Sequence, residues 1–257
     1  MKLSYFDLSG RLAIVSGGAT GIGLGISQGL AEAGAKIVIC SRRLEVCQSA
    51  ALKIAAATGA EAIGLSCDIT DEESIDRLLD RVLDEQGGID ILVNCAGVGG
   101  SEKPVLEMES TDWDSVLAIN LKGAYSLSRA VAGPMIERGR GGRIINVASV
   151  GAIISYPNMS AYCASKGGLV QLTKVMALEW VRHNILVNAI LPGYFETPMN
   201  KQFFASETGQ AAIKRQIPMR RLGRIDEIKG LAILLASEAS SFMTGSAMVI
   251  DGGNTAW

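Results

Sequence analysis

The 257-residue sequence is poor in the groups that mark several common classes of protein. It contains one histidine, His183, whereas protein metal sites usually need several histidines or cysteines at set spacings. We therefore expect no metal, which argues against a zinc-type alcohol dehydrogenase. The formal net charge of −2 provides no basic footprint, so no nucleic-acid partner is expected.

Long hydrophobic segments are also missing. No uninterrupted apolar run is long enough to span a bilayer, and residues 1–7 lack a secretory hydrophobic region, so no membrane association is expected. The cysteines are odd in number and lack the spacing of a disulfide framework: Cys40, Cys47, Cys67, Cys95 and Cys163. They fit buried thiols, and we expect a protein of the reducing cytoplasm.

Short apolar runs alternate with helical patterns along the whole chain. Strands are predicted near 12–16, 36–40, 61–67, 89–94, 143–148, 185–190 and 247–250. Helices are predicted at about 21–33, 43–57, 72–86, 111–138, 159–182 and 225–236. This alternation predicts an α/β fold, with a parallel sheet covered on both faces and wound in both directions by right-handed crossovers.

The segment 193–223 departs from this alternation. It follows a Pro-Gly pair and spaces Phe195, Met199, Phe203 and Phe204 among polar residues. Because it begins where a predicted strand ends, we expect a substrate lid over the pocket. The alternative interpretation is a surface excursion that buries two of its aromatic rings.

A glycine-rich turn follows the first predicted strand. Residues 17–23 read Gly-Gly-Ala-Thr-Gly-Ile-Gly, and a helical pattern starts within them. Glycine permits a tight turn and a close approach of the backbone to a pyrophosphate, while the helix N-terminus offers free N–H groups. The predicted phosphate-binding residues are Gly17, Thr20, Gly21, Ile22 and Gly23. A purely structural tight turn would need the same glycines.

Ser149, Tyr162 and Lys166 form the most informative constellation in the chain. Tyr162 and Lys166 lie at i and i+4, so a helix places them on one face. A hydroxyl, a phenol and an ammonium together can protonate a carbonyl while a hydride arrives from elsewhere, and the ammonium lowers the pKa of the phenol. The Tyr–Lys pair alone would also fit an ordinary solvated helix face.

Six motifs occur in the order and spacing of the short-chain dehydrogenase/reductase family, which this chain resembles over nearly its whole length. They are residues 16–23, Asp68, Asn94-Cys95-Ala96-Gly97, Asn120, the Ser149–Tyr162–Lys166 set, and Pro192-Gly193 with Thr197. Two small departures are Ser16, where the family usually has threonine, and Cys95, where a second asparagine is common. The resemblance implies a single-domain Rossmann fold over residues 1–257, with a doubly wound seven-stranded parallel sheet.

The same resemblance implies roles for individual residues. Tyr162 is the expected general acid and base, Ser149 steadies the developing charge, and Lys166 binds the nicotinamide ribose and lowers the pKa of Tyr162. Asn120 is expected to hold a water that connects Lys166 to solvent, although a helix-bending amide is the rival interpretation. The remaining expected cofactor contacts are Asp68, Ile69, Asn94, Ala96, Gly97, Tyr162, Lys166, Pro192, Gly193 and Thr197.

Cofactor choice depends on the end of the second strand, where Ser41, Arg42 and Arg43 follow one another. An acidic residue at position 41 would bind the ribose diol of NAD and repel a 2′-phosphate. Serine leaves room for that phosphate, and Arg42 can grip it with a planar fork. We therefore expect NADP(H), with NAD(H) as the alternative. Both arginines could instead be surface charges at a helix start.

The substrate is predicted to be a small carbonyl compound or alcohol. Its expected contacts are Ser149, Ile154, Met159, Tyr162, Tyr194, Phe195 and Met199. Parts of the chain resemble gluconate 5-dehydrogenases and others resemble 3-oxoacyl-[acyl-carrier-protein] reductases. We expect an NADP(H)-dependent ketone and secondary-alcohol oxidoreductase. The alternatives are an NAD(H)-dependent polyol, sugar-acid or hydroxy-lipid dehydrogenase, and a non-catalytic dinucleotide sensor, which typically loses the tyrosine or lysine.

The family resemblance also implies a homotetramer, paired through the long helices and through the last strand with its neighbouring helix. We expect residues 246–257, with the terminal Trp257, to lie near a subunit boundary. A frayed chain end is the alternative for this tail.

Overall fold

Seven short apolar segments form one parallel sheet. The computed structural model describes residues 4–197 and 200–256. Its strands are β1 (Leu12–Ser16), β2 (Lys36–Ser41), β3 (Ala62–Ser66), β4 (Ile91–Asn94), β5 (Gly142–Val147), β6 (Ile185–Pro192) and β7 (Ala247–Ile250). The strand order is β3-β2-β1-β4-β5-β6-β7, and every pairing is parallel. The predicted doubly wound, seven-stranded sheet is confirmed.

The central strands are apolar because both faces of the sheet are covered. Ile14 and Val15 are neighbours on β1 and both are fully buried, yet they belong to different core clusters. Side chains alternate between the two faces of a strand, so Val15 belongs to the cluster that contains Ile26 and Ile14 to the cluster that contains Leu127.

Nine α-helices in the described ranges cover the sheet: α1 (Gly21–Glu32), α2 (Leu44–Thr58), α3 (Glu72–Gln86), α4 (Ser110–Leu117), α5 (Ala124–Arg138), α6 (Ser160–Trp180), α7 (Lys201–Ala205), α8 (Glu207–Gln216) and α9 (Lys229–Ala236). Short 3-10 turns connect several of these elements. Within the same residues, no helix has the length and apolar content needed to cross a membrane.

The predicted helix over 111–138 is not a continuous α-helix. A π-helical turn, Ala118–Gly123, separates α4 from α5. Asn120 lies in this turn, where its buried amide bonds to the backbone of Val98. A wider turn of this kind is frequent at functional sites.

The carboxyl ends of the strands lie at one edge of the sheet. The strand order reverses between β1 and β4, and a ligand crevice forms outside the carboxyl ends at such a switch point. The glycine-rich turn follows β1, Asn94 ends β4, Ser149 follows β5 and Pro192 ends β6. The sequence motifs therefore meet at this edge.

The segment between β6 and α9 carries two helices, α7 and α8, and its own small apolar cluster. Phe204, Ile213 and Ile217 are buried there, and Tyr194 and Leu222 pack against them. Of the aromatic residues named for this segment, Phe195 and Phe204 are buried whereas Phe203 is 53% exposed. The lid function remains a prediction, and Met199 lies outside the described residues.

Candidate active site

Ser149 is placed by the end of β5. It begins the 3-10 turn Val150–Ala152, and its Oγ accepts a hydrogen bond from the backbone N–H of Gly151 at 3.0 Å. The residue is 7% exposed, so its hydroxyl is fixed in a largely dry environment. A serine hydroxyl can accept the hydrogen bond that caps this turn and still donate its own proton to a second group.

Tyr162 comes to Ser149 across Gly151. A Cβ atom added to Gly151 would lie 3.2 Å from Cε1 of Tyr162 and 3.3 Å from Oγ of Ser149. The Ser149 hydroxyl is also near enough to the phenol of Tyr162 to lower its pKa. Glycine at position 151 therefore leaves the space in which the two hydroxyls meet.

Lys166 lies one helical turn after Tyr162 on α6 and is 5% exposed. Its Nζ donates to the backbone carbonyl of Val147 at 2.9 Å and lies 5.9 Å from the centre of the Tyr162 ring. Burial lowers the pKa of this ammonium to about 8, and neighbouring Cys95 acts in the opposite direction. The lysine is thus a buried cation beside the phenol.

The pKa of Tyr162 is raised above its ordinary value. Burial is the largest cause, because an apolar environment penalises the charged phenolate, and neighbouring Cys163, Tyr194 and Cys95 add to the rise, whereas Ser149 lowers the pKa. The lowering of this pKa by Lys166 remains a prediction. In this arrangement Ser149 is the group that most favours ionisation of the phenol.

Asn120 is almost completely buried, and its side chain is fully engaged. Its Oδ1 accepts from the N–H of Val98 at 2.8 Å, and its Nδ2 donates to the Val98 carbonyl at 2.9 Å and to Ser165 Oγ at 3.1 Å. The amide therefore joins the loop after β4 to α6, the helix that carries Tyr162 and Lys166. The expected water-holding role remains a prediction.

The glycine-rich turn fits a dinucleotide phosphate. Gly17 has φ +68° and a Cβ there would lie 2.8 Å from Cα of Ala96, so the turn lies directly on the loop after β4. Thr20 precedes α1 without capping it through its side chain. The first-turn amides of α1, from Gly21 to Gly23, have no intrahelical partner and can receive an anion.

The loops after β4 and β6 approach this turn from both sides. A Cβ on Gly21 would lie 3.4 Å from Cγ2 of Thr197, and one on Gly97 would lie 3.4 Å from Nζ of Lys166. Gly193 continues β6, and its N–H donates to the carbonyl of Ile250 at 2.9 Å. Ala96, Gly97 and Thr197 therefore lie around the glycine turn and Lys166, whereas Gly193 contacts Asp251.

Two of the expected cofactor residues have structural partners that sequence reasoning missed. Asn94 is 3% exposed, and its Nδ2 donates to Ser128 and Asn146 at 2.8 Å each, inside the protein. The Asp68 carboxylate accepts from the N–H and hydroxyl of Thr70 at 2.9 and 2.7 Å, which lowers its pKa. Ile69, beside it, is buried.

The end of β2 presents two arginines. Arg42 and Arg43 are exposed, whereas Ser41 is half-buried and its Oγ accepts from the N–H of Arg43 at 3.3 Å. Arg42 also contributes to the low pKa of Asp68, after the Thr70 hydrogen bonds. The serine hydroxyl therefore shapes the strand end, and the guanidinium of Arg42 lies within electrostatic range of the Asp68 carboxylate.

The expected substrate contacts differ in how deeply the fold buries them. Tyr194, Ile154 and Met159 are half-buried. Phe195 is 4% exposed and packs in the main core, where a Cβ on Gly223 would lie 2.8 Å from its ring. We therefore correct its assignment from substrate contact to core residue, because the chain after β6 turns this ring inward.

Tyr156 is a residue near the site that sequence reasoning missed. A Cβ on Gly151 would lie 3.2 Å from Cε2 of Tyr156, the same distance as from Tyr162, and the Tyr156 ring centre is 6.1 Å from that of Tyr194. An aromatic residue between Ser149 and Tyr162 was the available signal. Among residues 4–197 and 200–256, no cluster of three or more His, Cys, Asp or Glu side chains could hold a metal.

Comparison with known proteins agrees with this geometry. A family model described as enoyl-(acyl carrier protein) reductase matches residues 17–255. The gluconate 5-dehydrogenase of Gluconobacter oxydans is 37% identical over 255 residues, which are 97% of this chain and 96% of the relative. The D-threitol dehydrogenase of Mycolicibacterium smegmatis is 40% identical over 250 residues, which are 97% of this chain and 95% of the relative.

A solved structure extends the comparison to three dimensions. The gluconate 5-dehydrogenase of Burkholderia cenocepacia, crystallised with NADP and tartrate, is 37% identical, with a TM-score of 0.94 and coverage of 100% of both chains. Fold and site together define an oxidoreductase that uses a nicotinamide dinucleotide. The chain belongs to the short-chain dehydrogenase/reductase family, which confirms the resemblance seen in its six motifs.

Proposed function

We propose that this enzyme interconverts a ketone and a secondary alcohol with NADP(H), using Tyr162 as general acid and base. The observation that carries the proposal is the convergence of Ser149, Tyr162 and Lys166 after β5, beside the glycine-rich turn. A non-catalytic sensor would not need a phenol, a hydroxyl and a buried ammonium in one place.

The catalytic groups divide proton transfer and stabilisation of charge between them. The bound dinucleotide supplies a hydride in reduction and accepts one in oxidation. In reduction, the Tyr162 O–H donates its proton to the substrate oxygen, while the Ser149 hydroxyl donates a hydrogen bond to that oxygen. In oxidation, the Tyr162 phenolate takes the proton back. Lys166, positively charged below its pKa of about 8, stabilises that phenolate.

The residues that would hold the dinucleotide follow the same edge of the sheet. First-turn amides of α1 receive the pyrophosphate, and Lys166 receives the nicotinamide ribose, since its Nζ lies beside Gly97. Thr197, beside Gly21, closes the nicotinamide end. The glycine turn lets the phosphates approach the backbone closely, because its glycines have no side chain in the way.

NADP(H) is the proposed cofactor, and NAD(H) is the alternative. Position 41 carries no carboxylate to repel a 2′-phosphate, and the exposed Arg42 and Arg43 follow it directly. The relative crystallised with NADP supports this choice. The Asp68 carboxylate, already bonded to Thr70, is engaged within its own loop and does not replace an acidic residue at position 41.

The proposed substrate class is a small hydroxylated ketone or the corresponding alcohol. The printed names of the relatives include both a sugar-acid and a polyol enzyme, gluconate 5-dehydrogenase and D-threitol dehydrogenase. A polyol or sugar-acid dehydrogenase that uses NAD(H) is therefore the second candidate function.

We further propose that the enzyme assembles as a homotetramer. Helix α4, the π-helical turn, α5 and α6 form an open, mostly apolar groove of about 650 Å³, lined by Leu117, Leu121, Tyr125, Leu172 and Val175 among others. Phe242 and Val249 are exposed at the edge of the sheet that β7 forms. Second copies of the chain would cover both surfaces. We also propose that the enzyme is cytoplasmic and that residues 193–223 act as a lid over the substrate.

A direct assay tests the central proposal. The purified protein is incubated with NADPH or NADH and a panel of hydroxyketones, diketones and oxoacyl thioesters, and with the oxidised cofactors and polyols, sugar acids or sterols. We expect cofactor-dependent turnover, faster with NADP(H), on hydroxylated substrates. Tight cofactor binding without turnover of any of them would favour the sensor instead.

A further inference from the structure

Tyr156 and Tyr194 form a pair of phenols, here called the phenol pair, beside the catalytic tyrosine. Their ring centres are 6.1 Å apart with an interplanar angle of 55°. Each hydroxyl group influences the pKa of the other. A phenol is both a donor and an acceptor, so the pair offers a ligand at least one O–H donor as well as acceptor lone pairs.

Gly151 lies between Tyr156 of the phenol pair and the proposed catalytic Tyr162. A Cβ on this glycine would lie 3.2 Å from Cε2 of Tyr156 and 3.2 Å from Cε1 of Tyr162. Both carbons are adjacent to the ring carbon that bears the hydroxyl. The hydroxyl-bearing edges of the two rings therefore converge on the position that Ser149 Oγ also approaches.

The pair is held from behind by the segment after β6. Tyr194 meets Phe204 edge to face, with ring centres 5.6 Å apart, and Phe204 is buried in the cluster with Ile213 and Ile217. Tyr156 packs against the cluster that contains Val150. Each phenol is thus anchored in its own apolar cluster, so the position of both rings is fixed before a ligand binds, at little further entropic cost.

Gly151 and Tyr162 beside Tyr156, and Phe204 beside Tyr194, carry no charge. Tyr194 also lines a small pocket with Arg221, Glu227 and Asp251, but Arg221 is paired with Glu227 at 2.7 Å and Asp251 accepts hydrogen bonds from Thr255. Lys103 approaches the same loop, since its N–H donates to the carbonyl of Asn158 at 3.0 Å. Its ammonium, however, is already paired with Asp112 at 3.1 Å. Burial raises the pKa of Tyr156, which keeps this phenol neutral. The surroundings suit a hydroxyl group better than a carboxylate.

We propose that Tyr156, through the phenol pair, is a specificity-determining residue that binds a hydroxyl on the carbon next to the reacting carbon of an uncharged substrate. This inference rests on the proposed function, because it takes Tyr162 as the group that marks the reacting carbon. It narrows the substrate class to neutral hydroxyketones and vicinal diols, and it assigns Tyr156 a role in binding rather than in proton transfer.

The test compares three ketones with four carbons: butanone, acetoin, which adds a hydroxyl on the carbon next to the carbonyl, and acetoacetate, in which a carboxylate replaces the terminal methyl group. Initial rates with NADPH are measured for wild type, Tyr156→Phe, Tyr194→Phe and the control Tyr5→Phe, whose ring lies at the exposed N-terminus. We expect wild type to prefer acetoin. Tyr156→Phe should lower kcat/KM for acetoin by about five- to tenfold, mainly through KM, because it removes one hydrogen bond and keeps the ring.

Tyr156→Phe and Tyr194→Phe should lower kcat/KM for acetoin at least about threefold more than kcat/KM for butanone, because only acetoin carries the hydroxyl that the pair binds. The Tyr5→Phe control should leave both values unchanged. Equal losses on butanone and acetoin would overturn the inference, since they would show a structural role for Tyr156. Preference for acetoacetate in wild type would overturn it as well.

The same experiment distinguishes failure of this inference from failure of the proposed function. Wild type that binds NADPH but reduces none of the three ketones would overturn the inference and leave the dinucleotide site in place. Wild type that does not bind NADPH, or that keeps its activity in Tyr162→Phe, would contradict the proposed function itself.

Discussion

Lys166 donates to the backbone carbonyl of Val147 at 2.9 Å, and this hydrogen bond holds a buried ammonium at the end of β5. In the described part of the chain, no ion pair engages the lysine, which is 5% exposed. A buried charge without a counter-ion destabilises a protein. We infer that the fold tolerates this cost because the ammonium serves the reaction.

Replacing Lys166 by an uncharged residue should therefore raise the stability of the protein and lower its activity. We expect Lys166→Met to raise the free energy of unfolding by about 1–3 kcal/mol, since the apolar side chain fills a similar volume without a charge. The melting temperature should rise by about 2–12 °C, while turnover falls by at least about a hundredfold. Thermal unfolding and steady-state rates measure the two effects, and Lys174→Met, exposed on the same helix, is the matched control.

The stability difference should depend on pH. Below pH about 8 the lysine is charged in both the folded and the unfolded chain, so the whole burial cost is present. Between about 8 and the ordinary value of 10.5, the folded protein holds neutral lysine while the unfolded chain still binds the proton. Wild type therefore gains stability relative to the variant as pH rises through this window. If the difference in the free energy of unfolding between wild type and variant stayed constant from about pH 7 to about pH 10, the lowered pKa of Lys166 would be contradicted.

The phenol of Tyr162 should matter for chemistry and not for cofactor binding. We expect Tyr162→Phe to lower kcat by two or more orders of magnitude, because general acid catalysis contributes about 10²–10⁴-fold. NADPH affinity, measured by fluorescence titration, should change by less than about threefold, a difference below 1 kcal/mol. Tyr5→Phe controls for loss of an unrelated phenol. Activity within a few-fold of wild type would remove Tyr162 from the mechanism.

The fold was predictable because the sequence repeats one simple pattern. The run from Leu12 to Ser16 is buried along its whole length, and a parallel strand covered on both faces needs that uniform apolar character. Residues 17–23 then form the turn, since helix α1 begins at Gly21. Tyr162 and Lys166 share a helix, as their spacing predicts.

Side-chain direction was harder to predict than position. Phe195 follows a strand end like the other site residues, but its backbone turns the ring into the core. Asn94 ends β4 at the expected edge, yet its amide faces Ser128 and Asn146. The phenol pair is another case, because Tyr156 and Tyr194 are distant in sequence and meet only through the packing of the segment after β6.

Assembly can be tested at the groove between α5 and α6. Val175 is 49% exposed there, within the apolar lining. We expect wild type to sediment as a tetramer at micromolar concentration and Val175→Glu to sediment as smaller species, because a buried unpaired carboxylate opposes association. Val105→Glu, 73% exposed outside the groove, is the control. A wild-type monomer in analytical ultracentrifugation would contradict the homotetramer.

Cofactor preference should depend on Arg42. Its guanidinium is exposed and follows directly on β2. A charge-assisted hydrogen bond contributes about 1.5–3 kcal/mol, so Arg42→Ala should raise KM for NADPH by roughly ten- to a hundredfold. KM for NADH should stay almost unchanged, because NADH lacks the 2′-phosphate. Arg77→Ala, which removes an exposed arginine from α3, controls for the loss of a positive charge.

Adding Ser41→Asp to Arg42→Ala should then reverse the preference. The Ser41 hydroxyl accepts from the N–H of Arg43 at 3.3 Å, and an aspartate oxygen can accept the same hydrogen bond, so the strand end should keep its shape. The new carboxylate repels a 2′-phosphate and can accept from a ribose diol. We expect kcat/KM for NADH to exceed that for NADPH in the double variant. If wild type already prefers NADH, or if Arg42→Ala weakens both cofactors equally, Arg42 is a surface charge and the phosphate assignment is wrong.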